Sequence, residues 1–556
     1  MRIGWSSLLL GLRGRIEKDP VGAGSSSDRC RLVFPSMATA GIGTDPKSAS
    51  GCSCGKRAWR AFAMGTLVTF ALMSVWAVTM PPYSGPDEPS QAAHAAALVR
   101  GQLIGTSTNP VRPLTTVIVP GTLGNGQSDI RCYQYKPRTP ASCAAGVRLT
   151  PRPVAALTYS ARYPPLYYAL TGLTSLVDQS SSALIYMRLV SAFLSAVMLG
   201  LAYMTLVVWS TNRLLPVGLL AALTPTAVYL GGTLNPNGLE IAAAISLWCA
   251  GVVFALEHLQ RPPSGLVLAG AVSAGVLICS RGLSPGFAFL VIITLDALVG
   301  PHDWRKILST CREMRWAALV LGVLATTSVV WIVLARSLWL LPAGASVQPD
   351  ATELSIVGEA FAQTRIWVEQ MVGVFGWDDT SAPTWTYRIW AIAIVLLVVL
   401  AVRAGNRRGL LLLGWLVALS LLLPVVLSLP SARSIGIAWQ GRYILPLAVG
   451  IPVLSAALGA QVVRSVWIGR TFIVALWLAS LLAYLEAVRR YAVGIHGPLN
   501  FLGGAWRPVE GWPLALGGYL FTTGLLGVLF WRLPRQDASV ARDVEVVPSS
   551  VPGARS

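Results

Sequence analysis

Charged residues are scarce in this sequence: Asp, Glu, Lys and Arg make up 12% of its 556 residues, whereas 54% are hydrophobic. A soluble protein carries about a quarter charged residues. The composition therefore excludes a soluble protein and indicates one that is embedded in a membrane.

Acidic residues are scarcer than basic ones, with 24 Asp and Glu against 43 Lys and Arg, which gives a formal net charge of +19. An excess of this sign can indicate nucleic-acid binding. Here most of the basic residues lie in short gaps between apolar runs, which is where the positive-inside rule expects them in cytoplasmic loops. We therefore expect membrane lipid, and not nucleic acid, as a partner.

The eight cysteines are few and scattered, which excludes a disulfide scaffold. Cys132 and Cys143 differ from the others because both lie in a long polar segment that we place outside the membrane. A disulfide between them can form in an oxidising compartment. Two unpaired thiols are the alternative.

Long apolar runs dominate the chain. Helices of about 17–25 residues cross a hydrocarbon core of ~30 Å, and the sequence predicts about twelve of them, within a range of eleven to thirteen. The range is open because residues 164–177 either span the membrane or lie at its interface. The predicted fold class is an all-α polytopic membrane protein with two long outer loops. The predicted spans are 62–80, 184–209, 214–232, 239–256, 265–279, 283–298, 316–338, 389–402, 410–427, 443–458, 472–488 and 514–530.

Basic residues in the short loops set the predicted orientation. With the N-terminus inside, each inner loop carries arginine, from Arg213 through Arg305 and Arg403 to Arg532, so the span count and the orientation agree. We predict a plasma-membrane protein with both termini in the cytoplasm. Its predicted parts are a disordered basic tail at 1–60, a membrane domain at 61–532 with outer loops at 81–163 and 340–387, and a disordered tail at 533–556.

Five arginines break this rule because they fall in short outer loops. A cation retained on the outer side needs an anionic partner. A lipid phosphate at the outer interface is one such partner, and an acidic residue of a neighbouring loop is the alternative. These arginines are Arg281, Arg433, Arg442, Arg489 and Arg490.

The first outer loop opens with the sequence PDEP at residues 86–89, followed by an Ala-rich stretch that looks helical. On a helix Asp87, Gln91 and His94 share one face, because they are spaced i, i+4 and i+7. The adjacent carboxylates of Asp87 and Glu88, with a His nearby, suit acid–base catalysis or the binding of a divalent cation such as Mg²⁺ or Mn²⁺. The alternative is a helix N-cap, a position that favours Asp.

Two further segments place polar side chains on the outer side. Asn235 and Asn237 flank a proline between two spans, which also suits a simple tight turn. Trp377 and Asp378 end the second outer loop. They can hold a sugar ring and its hydroxyls, although a Trp at the membrane interface is also ordinary.

Gln440, Arg442 and Tyr443 enter an outer-facing span end, where an Arg flanked by other donors can bind a phosphate. Acids, amides and cations thus converge on one membrane face. A transporter would more often place ionisable groups near the midplane of its spans, and the predicted spans hold almost no charge.

The ordered set of these segments resembles the actinobacterial branch of the membrane-protein family known as domain of unknown function 2142. The resemblance covers roughly residues 62–530, and His94 stands farther from the PDE sequence than in the common form of the motif. The matching segments are PDEPSQAAH with LVRGQL (86–103), YPPLYY (163–168), Arg188, LNPNGLE (234–240), FGW (375–377) and QGRYILP (440–446).

That family is similar to the membrane glycosyltransferases of the C superfamily, polytopic enzymes that use polyprenyl-phosphate sugars. The resemblance implies a similar fold, with Asp87 as the base or metal ligand and Glu88 as its neighbour. We therefore expect an inverting transfer of a sugar from a polyprenyl-phosphate donor to an envelope glycan or protein acceptor on the outer face. The expected substrate-binding residues are Gln91, His94, Asn235, Asn237, Arg281, Trp377, Asp378, Gln440, Arg442 and Tyr443.

In this hypothesis Asp87 accepts the proton of the acceptor hydroxyl, and Arg442 or Arg281 stabilises the departing lipid phosphate. Two alternatives remain open from the sequence. One is a transporter or flippase of lipid-linked glycans, and the other is a non-catalytic membrane scaffold for envelope assembly.

Overall fold

The computed structural model describes residues 51–107, 114–144, 152–259, 262–338, 351–463 and 465–533. The predicted tail segments 1–50 and 534–556 lie outside these residues, as do residue 339 and the beginning of the second predicted outer loop, residues 340–350. Residues 51–60, predicted as the end of the N-terminal tail, are helical.

The described chain is mostly helical, with two short, two-stranded antiparallel sheets in its loops. Its first part contains α1 (Gly51–Thr79), α2 (Glu88–Leu98), β1 (Thr115–Pro120), α3 (Gly121–Gly124), α4 (Gly126–Asp129), β2 (Pro153–Thr158), α5 (Leu166–Gly172), α6 (Thr174–Val177) and α7 (Ala183–Trp209). Its middle part contains α8 (Leu215–Ala222), α9 (Pro225–Gly231), α10 (Pro236–Glu257), α11 (Ser264–Ile278), α12 (Ser284–Val299), α13 (Pro301–Thr310), α14 (Arg312–Leu334), α15 (Glu353–Gly373), β3 (Val374–Phe375) and β4 (Thr380–Ser381). Its last part contains α16 (Thr384–Ala404), α17 (Arg407–Ile435), α18 (Leu445–Ala448), α19 (Gly450–Gly459), α20 (Val466–Val493) and α21 (Trp512–Arg532).

Nine helical segments of the described residues are long and apolar enough to cross a membrane, or ten if α12 and α13, which meet at 99°, count as one bent span. The predicted number of twelve is thus not confirmed. The run 214–232 is divided into α8 and α9, because Pro225 starts a new helix that Thr224 caps by accepting from Ala227. The run 265–279 forms only the short helix α11.

Residues 164–177 form α5 and α6, which together measure roughly 18 Å at ~1.5 Å per residue. This length is short of the ~30 Å hydrocarbon core, so the segment is too short to span the membrane. It lies against α2 instead. A Cβ atom at Gly172 would overlap the carbonyl oxygen of Ala95, so the two helices touch through their backbones.

Small residues bring α1 and α7 close together in the same way. A Cβ at Gly65 would lie 2.8 Å from the Cβ of Tyr203, and one at Gly200 would overlap the hydroxyl of Thr66. In a lipid bilayer no hydrophobic driving force holds two helices together. Close approach at glycines compensates, because it increases the van der Waals contact between α1 and α7.

Trp76 at the end of α1 is fully buried and forms the centre of the core. Its ring contacts those of Tyr229, Phe375, Tyr484 and Tyr519 at centroid distances of 5.3, 5.3, 4.9 and 6.1 Å. These residues come from α9, β3, α20 and α21. The N-terminal and C-terminal helices therefore close around one aromatic core.

The described residues of the first predicted outer loop, 81–107, 114–144 and 152–163, cover one end of the bundle, which we call the loop face. Strands β1 and β2 pair antiparallel, with Thr115 opposite Thr158. The hydroxyl of Ser90 in α2 is 2.8 Å from that of Thr158 and 2.9 Å from that of Ser160. These buried hydroxyls hold α2 against the sheet of β1 and β2.

The second predicted outer loop, within its described residues, consists of α15 and the β3–β4 hairpin, in which Phe375 pairs with Thr380. The hydroxyls of Thr224 and Thr226 donate to the carbonyls of Met371 and Gln370 at 2.8 and 2.9 Å. These bonds hold the end of α15 on α9, so the hairpin that follows lies at the loop face.

Candidate functional site

Asp87 directs its carboxylate away from the helix that it precedes. It is the N-cap residue of α2, but its side chain makes no capping hydrogen bond and its backbone is left-handed, with φ of 63°. Oδ1 accepts from the hydroxyl of Tyr159 at 2.6 Å, and Oδ2 accepts from Arg442 at 2.8 Å. The side chain remains 28% exposed. The capping alternative therefore does not describe how this carboxylate is used.

Tyr159 is a firm donor to Asp87. Burial, followed by the charge of Asp87, raises the pKa of this phenol well above its ordinary value. The hydroxyl therefore keeps its proton and holds Oδ1 in place.

Arg442 lies between two carboxylates. One of its terminal nitrogens donates to Asp87 and the other to Asp378 Oδ2 at 3.0 Å, while its own side chain is only 3% exposed. Burial raises the pKa of Asp378, Arg442 opposes the rise, and Asp87 adds to it. One arginine thus pairs with two partly exposed carboxylates. When both are ionised, the group of Asp87, Asp378 and Arg442 carries a net negative charge.

Left-handed backbone conformations cluster at this site. Among the described residues five non-glycine residues have positive φ; two of them bind Arg442, and two more contact Trp377, which precedes Asp378. Each such residue stores about 1 kcal/mol or more of strain, which persists where the surrounding structure enforces it. The four are Tyr83 (60°), Asp87 (63°), Tyr135 (56°) and Asp378 (59°).

Arg281 is a second cation beside the first. Its guanidinium lies 4.8 Å from the ring centroid of Tyr443 and 5.7 Å from the ring centroid of Tyr163. The guanidinium of Arg442 lies 5.2 Å from the same Tyr443 ring. One carboxylate, that of Glu240, lies 3.6 Å away. The Arg281 side chain is 14% exposed, and its Nε has no hydrogen-bond partner among the described residues.

Asn235 and Asn237 shape the backbone around this site. Asn235 caps α10 by accepting from the amide of Asn237 at 3.0 Å, and its Nδ2 donates to the carbonyl of Pro86 at 2.9 Å. Asn237 donates to Glu240 at 3.1 Å. Both amides are buried, so these residues do not present the substrate contacts that we expected.

Glu88 has a different role from its neighbour. It is fully buried and forms an ion pair with Arg188, whose Nε and NH2 donate to its two oxygens at 2.7 and 2.6 Å. The amides of Leu234 and Gly85 donate to the same carboxylate at 3.0 and 3.2 Å. Four donors occupy Glu88, so it has neither the exposure nor the free acceptor capacity for catalysis.

The contacts of Asp87 and Glu88 show whether these two residues could bind Mg²⁺ or Mn²⁺ together. Asp87 and Glu88 point to different arginines, so they do not form a pair of ligands for one ion. No group of three or more His, Cys, Asp or Glu side chains in the described part of the chain is arranged to hold a metal. The residues present therefore do not fit the predicted divalent-cation site.

Gln91 and His94 lie on a buried face of α2, not in the site. Gln91 Oε1 accepts from the hydroxyl of Tyr168, and the His94 ring contacts that of Tyr168 at 4.4 Å. Neither ring nitrogen of His94 has a partner among the described residues. Burial lowers the pKa of His94 to about 3, so it is a neutral core residue and not the substrate contact that we predicted.

Trp377 and Gln440 border the site. Trp377 is 8% exposed, and its indole N–H donates to the carbonyl of Tyr83 at 3.2 Å. Gln440 is half-buried, and its Oε1 has no hydrogen-bond partner in the described residues. Gly441 beside it donates to Gln370 at 2.6 Å, which fixes the turn that carries Arg442.

Each of the five arginines that broke the charge rule has a carboxylate partner, as the pairing alternative expected. The pairs are Arg281–Glu240, Arg433–Glu353, Arg442 with Asp87 and Asp378, Arg489–Glu486 and Arg490–Asp379.

Cys132 and Cys143 form a disulfide in the first loop. Arg490 at the end of α20 donates to the carbonyls of Tyr133 and Thr139 at 2.9 and 3.0 Å. The same guanidinium donates to Asp379 at 2.9 Å. It therefore joins the disulfide loop to the hairpin that carries Asp378.

A family model described as a predicted membrane protein, DUF2142, matches residues 70–451. This chain belongs to the DUF2142 family. The resemblance predicted from its motifs is thereby confirmed, and its long apolar helices make it a multi-pass membrane protein. No curated protein matches the sequence.

Two solved structures are similar to this DUF2142 protein, and both are of ArnT from Cupriavidus metallidurans. The apo structure is 16% identical, with a TM-score of 0.40 over 89% of this chain and 80% of that one. The structure bound to undecaprenyl phosphate is 14% identical, with a TM-score of 0.38 over 90% of this chain and 82% of that one. TM-scores this low do not establish a shared fold.

Three residues of the DUF2142 site were missed from the sequence. Tyr159 and Tyr135 have no distinguishing motif, because their roles depend on contacts with distant segments. Arg188 lay among the matching segments, but its pairing with Glu88 requires a contact across 100 positions. One indication of this pairing is present in the sequence: Arg188 lies inside an apolar run, where a charged residue requires a buried partner.

Proposed function

We propose that this DUF2142 protein is a membrane glycosyltransferase that moves a sugar from a polyprenyl-phosphate donor to an envelope glycan or protein acceptor on the outer face. The observation that carries the proposal is the setting of Asp87. Two donors hold this partly exposed carboxylate at 2.6 and 2.8 Å, and a second cation, Arg281, lies beside the first.

Asp87 is the base in this proposal. Tyr159 and Arg442 each occupy one of its oxygens, and each oxygen has a second lone pair for the acceptor hydroxyl. As the acceptor oxygen bonds to the anomeric carbon, Asp87 takes its proton and the bond from that carbon to the phosphate oxygen breaks. Attack opposite to the leaving group inverts the anomeric centre, and polyprenyl phosphate departs with the electron pair.

Arg281 is better suited than Arg442 to receive the departing phosphate. Arg442 is almost fully buried and shared by two carboxylates, whereas Arg281 is more exposed and has a single carboxylate, at 3.6 Å. A fixed cation at the point where charge develops stabilises the transition state without reorganisation.

The pairing of all five outer arginines with carboxylates favours one competing function. A non-catalytic scaffold for envelope assembly needs these ion pairs for its shape and has no need of a base. It differs from the transferase in one respect: loss of the Asp87 charge leaves its function intact as long as the loop stays folded.

The deciding experiment is the envelope glycan profile of a deletion strain complemented at matched membrane levels. Wild type and the control Asp178→Asn, whose carboxylate contacts Ser180 in a different part of the loop face, should restore the missing linkage. Asp87→Asn should reduce transfer by at least ~100-fold, in the range of general-base catalysis. Full restoration by Asp87→Asn contradicts the transferase and supports the scaffold.

A further inference from the structure

Tyr135 is the exposed aromatic residue of the disulfide loop, residues 132–143. Its side chain is 66% exposed, whereas Tyr133 two positions earlier is buried and donates to the carbonyl of Pro82 at 3.0 Å. The loop is therefore anchored through Tyr133 and presents Tyr135.

The anchoring is rigid. The disulfide closes the loop, Arg490 binds its carbonyls, and the amide of Ile495 donates to Pro137 at 3.0 Å. At Gly494 a Cβ would overlap the carbonyl of Arg138, so the loop lies directly on the α20 backbone. A ring carried by such a loop has a fixed position.

That position is beside the candidate site. The ring of Tyr135 meets the edge of Trp377 at a centroid distance of 5.7 Å. Partial burial, followed by the charges of Asp87 and Asp378, raises the pKa of the Tyr135 phenol. The ring thus lies within electrostatic reach of both carboxylates that contact Arg442.

The backbone of Tyr135 is left-handed, with φ of 56°. Glycine or asparagine adopts this conformation at lower cost than a tyrosine. A strained backbone that holds a large, exposed aromatic ring next to two acids is a reason to assign the side chain a function.

We infer that Tyr135 and Trp377 form the binding platform for the transferred sugar, an inference that rests on the proposed function. An apolar face of the pyranose or furanose ring packs on Tyr135. Sugar hydroxyls donate to Asp378, which accepts two such bonds in addition to that from Arg442. The donor phosphate then lies toward Arg281, and the anomeric carbon lies between the phosphate and Asp87.

The platform transfers to Tyr135 the contact with the sugar ring that the sequence suggested for Trp377. Trp377 is nearly buried, and its N–H donates to the carbonyl of Tyr83. Its part in the platform is therefore to hold the ring of Tyr135 in position. An interfacial membrane anchor is the other use of an exposed tyrosine. Such an anchor acts on any lipid ligand in the same way, whether or not the lipid carries a sugar.

The test measures binding of purified full-length protein to undecaprenyl phosphate and to a panel of undecaprenyl-phosphate hexoses and pentoses. Wild type should bind at least one glycosylated lipid more tightly than the bare lipid phosphate. Tyr135→Ala should weaken binding of that ligand about ten-fold, as expected for loss of one aromatic contact, and leave binding of bare undecaprenyl phosphate unchanged. Tyr135→Phe should retain most of the affinity.

Tyr186→Ala is the matched control, because Tyr186 is 46% exposed on α7 and has no part in the platform. Equal loss of bare and glycosylated lipid in Tyr135→Ala overturns the platform in favour of an anchor. Equal wild-type affinity for bare lipid phosphate and for every glycosylated lipid also overturns it. Failure of the proposed function is detected separately, by full glycan restoration with Asp87→Asn.

Discussion

The carboxylate of Asp87 and the guanidinium of Arg442 lie 2.8 Å apart although 355 positions separate them in the chain. The contact joins the first loop to the turn that precedes α18. Because Asp378 binds the same guanidinium from the second loop, a single arginine joins three distant segments at the loop face.

Asp378 competes electrostatically with an incoming phosphate, because its negative charge offsets the positive charge of Arg442, which lies beside Arg281. Removing its charge by Asp378→Asn should tighten undecaprenyl phosphate binding about 30-fold, because a unit charge ~7 Å away contributes roughly 2 kcal/mol at an effective dielectric constant of ~20. Affinity is measured by titration of the purified protein. The control Asp178→Asn should leave it unchanged, and equal affinities of Asp378→Asn and wild type would contradict the competition.

The Asp378 effect should also depend on pH. Burial raises the pKa of this carboxyl above its ordinary 3.8, so the folded protein neutralises Asp378 at a higher pH than a free aspartate would. The difference in affinity between Asp378→Asn and wild type should therefore close as pH falls through the raised pKa. A difference that stays constant over the whole titration would show that the charge is not responsible.

His94 makes the stability of the protein sensitive to acid. Its pKa falls from 6.5 in the unfolded chain to about 3 in the folded protein, so the unfolded state takes up a proton first as pH decreases. Stability should be lost progressively from pH 6.5 downward, by up to about 1.4 kcal/mol per pH unit. His94→Leu should remove this part of the pH dependence, seen as a flatter plot of thermal midpoint against pH.

His302→Asn is the control for the His94 measurement, because its side chain is 95% exposed. This substitution should leave the acid slope unchanged. An identical slope in wild type and His94→Leu would mean that His94 does not titrate on unfolding.

The ion pair of Glu88 and Arg188 should be critical for folding. Removing one partner leaves an uncompensated buried charge, so Arg188→Met should destabilise the protein by about 3–5 kcal/mol. The double variant with Glu88→Gln should recover part of the loss. Arg365→Met breaks the exposed pair with Glu369 and should change stability by less than ~1 kcal/mol. Thermal unfolding in detergent measures all three, and similar losses in Arg188→Met and Arg365→Met would contradict the prediction.

The disulfide should determine the rigidity of the Tyr135 loop. Replacing both Cys132 and Cys143 by Ser should lower the local opening free energy by about 2–4 kcal/mol, seen as faster amide hydrogen exchange across residues 130–144. Cys311 is a free cysteine, and Cys311→Ser should leave exchange in the loop as it is in wild type. Unchanged exchange in the double variant would show that Arg490 alone holds the loop.

Sequence patterns predicted a helical membrane protein and predicted that Asp87, Asp378 and Arg442 lie at the same membrane face. They could not decide which of two adjacent acids enters the site. Asp87 and Glu88 have the same charge and the same local sequence, and the left-handed backbone at Asp87 turns their side chains toward different arginines. The partners of the two carboxylates, Tyr159 and Arg442 for Asp87 and Arg188 for Glu88, come from distant segments, which no local pattern encodes.

The predicted span count is not confirmed for a related reason. Hydropathy does not show where an apolar run breaks, so α8 and α9 were read as one helix. The exposed apolar surface of α14 and the buried surface of α10 also have similar hydropathy, although one can face lipid and the other faces the core.

Arg490 contacts both the disulfide loop and the Asp379 hairpin from the end of α20, near the C-terminus of the membrane region. During translation, Asp87 is therefore synthesised long before the residues that hold its surroundings in position. The site can assemble only after α20 has been inserted into the bilayer. We therefore expect truncated or incompletely inserted copies to lack an organised site.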